Sequence, residues 1–337
     1  MIDLLVAGGG PAGLATALYA ARAGLDVVVV ERRRGPVDKA CGEGLMPHTM
    51  RQLNRLGVEP HGKPFRGIRY LDGVRSADAL FRSGTGRGVR RTTLHAALLD
   101  AITEAGVSIV HDEIRDISQD ATSVRAGKLR ARYLAAADGL HSAIRRSVGL
   151  EARTGGPRRW GIRRHFQIAP WTDYVEVYWA AGAEAYVTPV ADDCVGIAVL
   201  TSHRGGFDYH LGGFPLLREK VRGRPHGPDR AAGPLLQKVR GRTAGRVLLV
   251  GDAAGYVDAL TGEGLGLAFA AAELAVGCVI ADRPADYDRQ WRRMTRRYRL
   301  LTAVLLHASR YPPVRSSIVP AATALPKVFA GLVNQIA

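Results

Sequence analysis

The sequence has little that would mark an extracellular, metal-dependent or membrane-spanning protein. Of its 337 residues only three are cysteine, Cys41, Cys194 and Cys278. They share no Cys-x-x-Cys spacing and cannot all pair, the usage expected in a reducing compartment. No His, Cys, Asp and Glu cluster has metal-ligand spacing, so no metal is expected. No apolar run reaches the roughly 18–20 residues that a membrane-crossing helix needs. Met1 to Gly8 run straight into an apolar strand with no basic lead-in or cleavage site, so no secretion signal is expected and the chain reads as cytoplasmic. Lysine is scarce as well, six against 41 arginines within a formal charge of +16. Such a skew can follow genomic base composition, and the arginines are dispersed over 32–34, 82–91, 153–164 and 289–299. Without a zinc-finger, RNA-recognition or basic-zipper pattern, no nucleic-acid partner is expected. What remains is a globular composition, 47% hydrophobic and 23% charged, ample for one large or two small domains around a buried core.

Ile2–Ala7 is a short apolar run, followed by Gly8-Gly9-Gly10-Pro11-Ala12-Gly13 and a helical pattern to Ala23 that Gly24 ends. Asp26–Val30 is a second β-branched run with Glu31 at its tip, 18 residues after Gly13. Each glycine has a task. Gly8 permits a tight turn, Gly10 lets a pyrophosphate approach the backbone, and Gly13 lets the helix pack on the strand. The free N–H groups and dipole of the helix N-terminus then attract the phosphates, and Glu31 can accept the ribose hydroxyls of an adenosine. Gly8, Gly10, Pro11, Ala12, Gly13, Glu31 and Arg32 are therefore the expected dinucleotide contacts. This unit alone does not separate FAD from NAD.

Two further apolar strands end in similar chemistry. Leu134–Ala137 leads into Asp138-Gly139-Leu140-His141-Ser142-Ala143-Ile144-Arg145. Arg246–Val250 leads into Gly251-Asp252-Ala253-Ala254-Gly255, and Thr261-Gly262-Glu263-Gly264 opens an alanine-rich helix over about 265–281. Asp138 and Gly139, Gly251 and Asp252, and the Gly262/Gly264 backbone thus stand where a cofactor lies at strand ends. A carboxylate there can accept from a ribityl hydroxyl, and backbone N–H groups can face a reduced flavin's negative charge.

In this order and spacing the three segments resemble the FAD-dependent oxidoreductases of the para-hydroxybenzoate hydroxylase fold. Arg91-Thr92-Thr93-Leu94 is similar to that family's Arg-x-x-Leu helix start, which implies that Arg91 lies near the flavin chain. Within the superfamily the chain looks most like the geranylgeranyl reductases. Cys41-Gly42-Glu43-Gly44-Leu45 is similar to their Cys-Gly-Gly-Gly-Leu loop, with Glu43 in place of a glycine, and Ala259 stands where a proline is usual. The resemblance spans most of residues 1–280. It implies an α/β fold, with a discontinuous Rossmann-like FAD-binding domain (1–65, 88–152, 243–283), an inserted antiparallel β-sheet substrate domain (66–87, 153–242) and a C-terminal helical region (284–337). It also implies that Cys41, Gly42 and Gly44 run close to the flavin, where Cys41 either positions substrate, donates a proton or simply packs.

On the substrate side, Asp173–Trp179 alternates polar or aromatic with apolar residues, the period of a half-buried strand. Glu184–Val190 and Cys194–Leu200 read as its neighbours, with Arg66–Leu71 and Ala77–Phe81 added to the same sheet. Tyr174, Tyr178 and Tyr186 are the foremost expected pocket residues, with Trp160, Phe166 and Trp179 beside them; core packing is the alternative for each. No acid–base residue stands out among His141, His165 and Glu176. The absence of a second Gly-x-Gly-x-x-Gly leaves no separate NAD(P)H domain, so transient binding of NAD(P)H or a carrier protein is the expected source of electrons.

Residues 286–307 read as one helix with Arg289, Arg293 and Arg297 on one face and Trp291, Met294, Tyr298 and Leu301 on the other. Beyond it lies a proline-broken, largely apolar stretch. This end either closes the substrate cavity, packs on the FAD domain or makes a peripheral contact with an anionic membrane. The leading expectation is hydride transfer, through the flavin, to a double bond of a hydrophobic small molecule. A flavin monooxygenase that hydroxylates a phenolic or polyketide substrate with O₂ is the alternative. A halogenase is disfavoured by the lack of Trp-x-Trp-x-x-Pro, and a non-redox flavin cyclase stays open.

Overall fold

The computed structural model describes residues 1–156 and 158–336. Strand β1 (Ile2–Ala7) feeds helix α1 (Pro11–Arg22), which returns to β2 (Val27–Val30). Pro11 at the first helical position suits a start whose N–H has no intrahelical partner, and no side chain caps the α1 N-terminus. The chain then supplies β3 (Gly67–Leu71) and β4 (Ser76–Leu80) before helix α2 (Arg91–Glu104) and strand β5 (Ser108–Val110). After β6 (Leu129–Ala136) come four long strands, β7 (Trp160–Gln167), β8 (Val175–Ala180), β9 (Ala183–Ala191) and β10 (Cys194–Thr201). Strand β11 (Val247–Leu249) precedes helices α3 (Gly264–Ile280), α4 (Asp286–Arg310), α5 (Pro312–Ala324) and α6 (Pro326–Ile336).

Two large sheets result. In the first, β11, β6, β1, β2 and β5 lie side by side and all parallel. Its apolar core packs against α1, α2 and α3. Buried runs such as Leu4–Ala7 and Val247–Val250, with almost no polar alternation, suit a parallel sheet covered on its faces. The second sheet runs Arg230–Ala232, β7, β10, β9, β8, β3, β4. It was expected to be antiparallel. The β3–β8 pairing is parallel instead, because β3 reaches this sheet from the early part of the chain rather than through a hairpin. The short Gly86–Gly88 strand leaves the sheet altogether and pairs with Gly44–Leu45 and Lys63–Phe65.

The second sheet is buried on both faces. Short helices Phe207–Leu211 and Pro215–Lys220 cover one face, while the other meets α4, α5 and α6. On α4 the buried positions are Tyr287, Trp291, Thr295, Thr302, Leu306 and Ser309. The expected apolar face therefore shifts, with Trp291 inside and Met294 37% exposed. Two threonines satisfy the inner face here, Thr295 Oγ1 donating to the Trp291 carbonyl at 2.9 Å and Thr302 pairing with Thr261 at 3.2 Å.

One fully buried side chain ties the strand ends of the first sheet together. Arg145 donates from Nη2 to the Leu140 carbonyl (3.0 Å) and Gln237 Oε1 (3.0 Å), and from Nη1 to the Ala253 carbonyl (3.2 Å). It thereby joins the turn after β6 to the turn after β11. Arg145→Ala strands these buried acceptors, each costing about 1–3 kcal/mol. The expected loss is on the order of 3–5 kcal/mol, read from the midpoint of denaturant unfolding. Arg145→Lys should fall between, because one ammonium cannot span both turns.

Candidate functional site: a dinucleotide cleft

A cleft of about 830 Å³ opens at the carboxyl ends of β2, β1, β6 and β11 and runs under the second sheet. Four adjacent parallel strands ending at one crevice, with connections diverging on either side, is where open α/β sheets bind ligands. The backbone there is tightly fitted. A Cβ on Gly13 would collide with the Gly8 carbonyl, so only glycine allows this helix to approach its own strand. A Cβ on Gly10 would meet nothing within 4 Å and would project into open cleft. With no side-chain cap on α1, its first N–H groups are free for an anion.

Glu31 closes the adenosine end. Its Oε2 accepts from the Gly9 N–H at 2.8 Å, and its Oε1 accepts from the Arg33 N–H (3.0 Å) and Nε (2.9 Å). Burial pushes the Glu31 carboxyl up, but the Arg33 and Gly9 hydrogen bonds outweigh it and hold the group below its ordinary value. Arg32 lines the cleft at its rim, 3.7 Å from exposed Glu113. His95 of α2 buttresses the same turn. Its Nδ1 accepts from the Val37 N–H at 2.8 Å, so Nε2 carries the proton donated to the Gly9 carbonyl at 2.6 Å. Burial lowers the His95 pKa and keeps the ring neutral.

The middle of the cleft gathers charge of both signs. Arg33, Lys39 and Arg91 line it together with Asp138 and Asp252. Two buried atoms here have no protein partner, Arg91 Nη1 and Asp138 Oδ1, and buried polar groups left unpaired in this way call for a ligand. The other Asp138 oxygen accepts from the Ile144 N–H at 3.1 Å. Burial pushes the Asp252 carboxyl up, against the pull of Lys39, Arg91 and Arg145. Gly139, Gly251, Gly262 and Gly264 line the same space, Gly264 as the first residue of α3. Cys41, Gly42 and Gly44 form one wall, and Thr188 Oγ1 donates to the Gly42 carbonyl at 2.8 Å. Burial first, and the Glu43 charge second, push the Cys41 thiol up, so Sγ carries its proton at neutral pH.

The far end is apolar, lined by Ile68, Val175, Val177, Leu200, Leu235, Leu260 and Val333. Tyr186 joins this wall and donates its hydroxyl to the Leu260 carbonyl at 2.8 Å. Tyr174 and Tyr178 do not, which corrects the sequence reading. Strand alternation aims Val175 and Val177 of β8 at the cleft. Tyr174 then packs under Arg66 and Arg69, and Tyr178 turns to the opposite core, where its hydroxyl donates to Glu176 at 2.8 Å. Trp160 lines the cleft, whereas Phe166 and Trp179 are core. Glu176 lies with Tyr178, away from the site. The sequence reading missed Arg33, Lys39, His95 and Tyr70, and noted Glu43 only as a departure from the loop's usual glycine. His95 is one residue past the Arg91–Leu94 motif, but nothing local marks Arg33, Lys39 or Tyr70.

These observations define a cleft with free backbone donors and unpaired polar atoms toward one end and an apolar wall at the other. The orphaned Arg91 and Asp138 atoms, the uncapped α1 and the open Cβ position at Gly10 all fit FAD. Residues 1–205 match the family model described as "FAD binding domain"; the chain belongs to this family, and it is an FAD-dependent oxidoreductase. It is similar to the menaquinone reductase of Mycolicibacterium smegmatis, 29% identical over 86% of this chain and 79% of that protein. It is also similar to digeranylgeranylglycerophospholipid reductase 1 of Methanothermobacter thermautotrophicus, 28% identical over 86% and 81%. The fold is shared with the solved flavin-dependent brominase Bmp2, at a TM-score of 0.81 and 15% identity, over 99% of this chain and 93% of that one.

The two glycines of the turn make opposite predictions. Gly10→Ala should leave the melting temperature within a degree or two, because nothing opposes the new methyl. It should weaken FAD binding at least about tenfold, roughly 1.4 kcal/mol, in a flavin fluorescence titration. Gly13→Ala should fail to give folded protein by circular dichroism.

Proposed function

We propose that the chain reduces a carbon–carbon double bond in a long, prenyl- or polyketide-type lipid, with NAD(P)H or a carrier protein as the electron source. The observation that carries this reading is the apolar far end, where Ile68, Val175, Val177, Leu200, Leu260 and Val333 offer contact area and no charge. A phenolic acid would bring a carboxylate to such a wall without a cation to meet it. The reductases of menaquinone and of digeranylgeranylglycerophospholipid support the same substrate class, since both named substrates carry prenyl chains.

The residues have separable tasks. Bound FAD supplies the hydride chemistry. The β8 valines and Leu200 orient an apolar chain and exclude water, while Val333 of α6 closes the cavity from outside the sheet. Cys41 Sγ holds a proton at the cleft wall.

Among the described residues no single helix is long and apolar enough to cross a membrane. Yet α4 exposes Leu300 (63%) and Val304 (58%), the α5–α6 junction exposes Leu325 (57%), and α6 exposes Val328 (55%). Exposed Arg296, Arg297, Arg310 and Lys327 lie among them. An apolar surface with a basic rim complements an anionic bilayer, and α6 places it against the cavity. We therefore assign this face to peripheral contact with an anionic lipid surface, from which the substrate enters.

Two measurements test this. Under anaerobic conditions with NAD(P)H, a polyprenyl quinone or geranylgeranylated lipid should gain two hydrogens by mass spectrometry. Oxygen incorporation in air, with no anaerobic product, would replace the reductase by the hydroxylase. Sedimentation with vesicles should show binding to phosphatidylglycerol-containing membranes and little to pure phosphatidylcholine. Leu325→Glu with Val328→Glu should abolish it, and equal binding by that variant would remove the face from consideration.

A further inference from the structure

The most unusual residue in the cleft is Glu43. Its φ is +61°, a left-handed conformation that costs a non-glycine residue about 1 kcal/mol or more. Its side chain is nevertheless buried, and a charge is kept there only with partners. Glu43 Oε1 accepts from the Arg91 N–H at 2.8 Å. Oε2 meets His165 Nε2 at 2.6 Å. Arg163 Nη1 lies 2.9 Å from His165 Nδ1. A guanidinium only donates, so Nδ1 accepts and Nε2–H must be the donor to Glu43. The protons therefore run in one direction, from Arg163 through His165 to Glu43. Gly196 leaves the room for this carboxylate, since a Cβ there would stand 2.9 Å from Oε2.

The same segment is fastened at other points. The Val89 N–H donates to the Glu43 carbonyl at 2.8 Å. Arg163 Nη2 pairs with Asp38 and donates to the Lys39 carbonyl at 3.2 Å. Thr188 holds the Gly42 carbonyl. Residues 38–44, which carry Lys39 and Cys41 into the cleft, are thus tied to β7 and β9 of the second sheet, and Glu43 extends the tie to the first turn of α2.

We propose that Glu43 is a positioning residue: its buried carboxylate, anchored by His165, fixes where the Arg91 guanidinium and the Cys41 sulfur stand against the bound FAD. Glycine would relieve the backbone but supply none of these contacts. The inference uses the FAD assignment and not the reaction proposed above, and both of its readouts are made without turnover.

The test uses the full chain. Glu43→Gln keeps the side-chain volume but offers one oxygen to two donors, so either Arg91 N–H or His165 Nε2–H loses its acceptor. FAD affinity should fall about tenfold or more in a fluorescence titration. Iodoacetamide labelling of Cys41, followed across pH on its own peptide by mass spectrometry, should shift to lower pH, because the neighbouring negative charge is gone. FAD binding as tight as or tighter than in the unchanged protein, with the labelling profile in place, would overturn the proposal. Should Glu43→Gln not fold, Gly196→Ala presses on the carboxylate from β10 without replacing it. Both readouts should again move, and two unmoved readouts in that variant would equally overturn it.

Discussion

The contact on which the site depends is between two glycines five residues apart, Gly8 in the turn after β1 and Gly13 in the first turn of α1. Because no Cβ separates them, α1 begins close to the end of β1, and its first residues line the crevice with no side chain capping them. Everything else at the adenosine end is arranged around that turn. Glu31 accepts from the Gly9 N–H, and His95 donates to the Gly9 carbonyl, so both polar groups of one peptide position are used by side chains from different elements. The turn is held from both sides before any ligand enters, which is how a site reduces the ordering cost of binding.

Charge is handled differently at the two ends of the cleft. In the middle, Arg91 and Asp138 keep buried atoms without protein partners, and both line the cleft, where a ligand can supply the missing bonds. Nearby Arg145 is also buried and its Nε lacks a partner too, but both its Nη groups have carbonyl and amide acceptors, and it organises two strand ends. Two arginines of similar burial thus differ in what their donors meet. Toward the second sheet the polar groups give way to valine and leucine, so a molecule reaching between the ends passes from a polar to an apolar environment along the Cys41–Gly44 wall.

Much of the first sheet was legible in the sequence because its signals are local. A glycine-rich turn, an acidic residue at the next strand tip and Asp-Gly or Gly-Asp after short apolar runs each report on a few consecutive residues. The second sheet was legible as strands but not as faces. On β8 the sequence alternates tyrosine and glutamate with valine, and period 2 alone does not say which set meets the cavity when both faces are buried. The aromatic set was the natural choice for a pocket, and the valines occupy it. Glu43 shows a second limit. In sequence it is a departure from a glycine; its partners His165 and Gly196 lie 122 and 153 residues away, and only the folded sheet brings them together.

The arginine excess also takes on meaning once partners are visible. Arg159 pairs with Glu184 and Asp258, Arg164 with Asp208 and Asp229, and Arg242 with Asp288 while stacking on Trp291. Each spans elements distant in sequence, a task for a rigid fork with several donors rather than for a lysine. These buried arginines are thus structural and, being paired with carboxylates, add nothing to the net +16. Exposed Arg296, Arg297, Arg310 and Lys327 stand on α4 and α6 beside exposed leucines and valines. Those helices also place Val333 against the cavity and Phe329 against Tyr70. Any force that draws this surface toward an anionic layer acts directly on the elements that close the apolar end of the cleft.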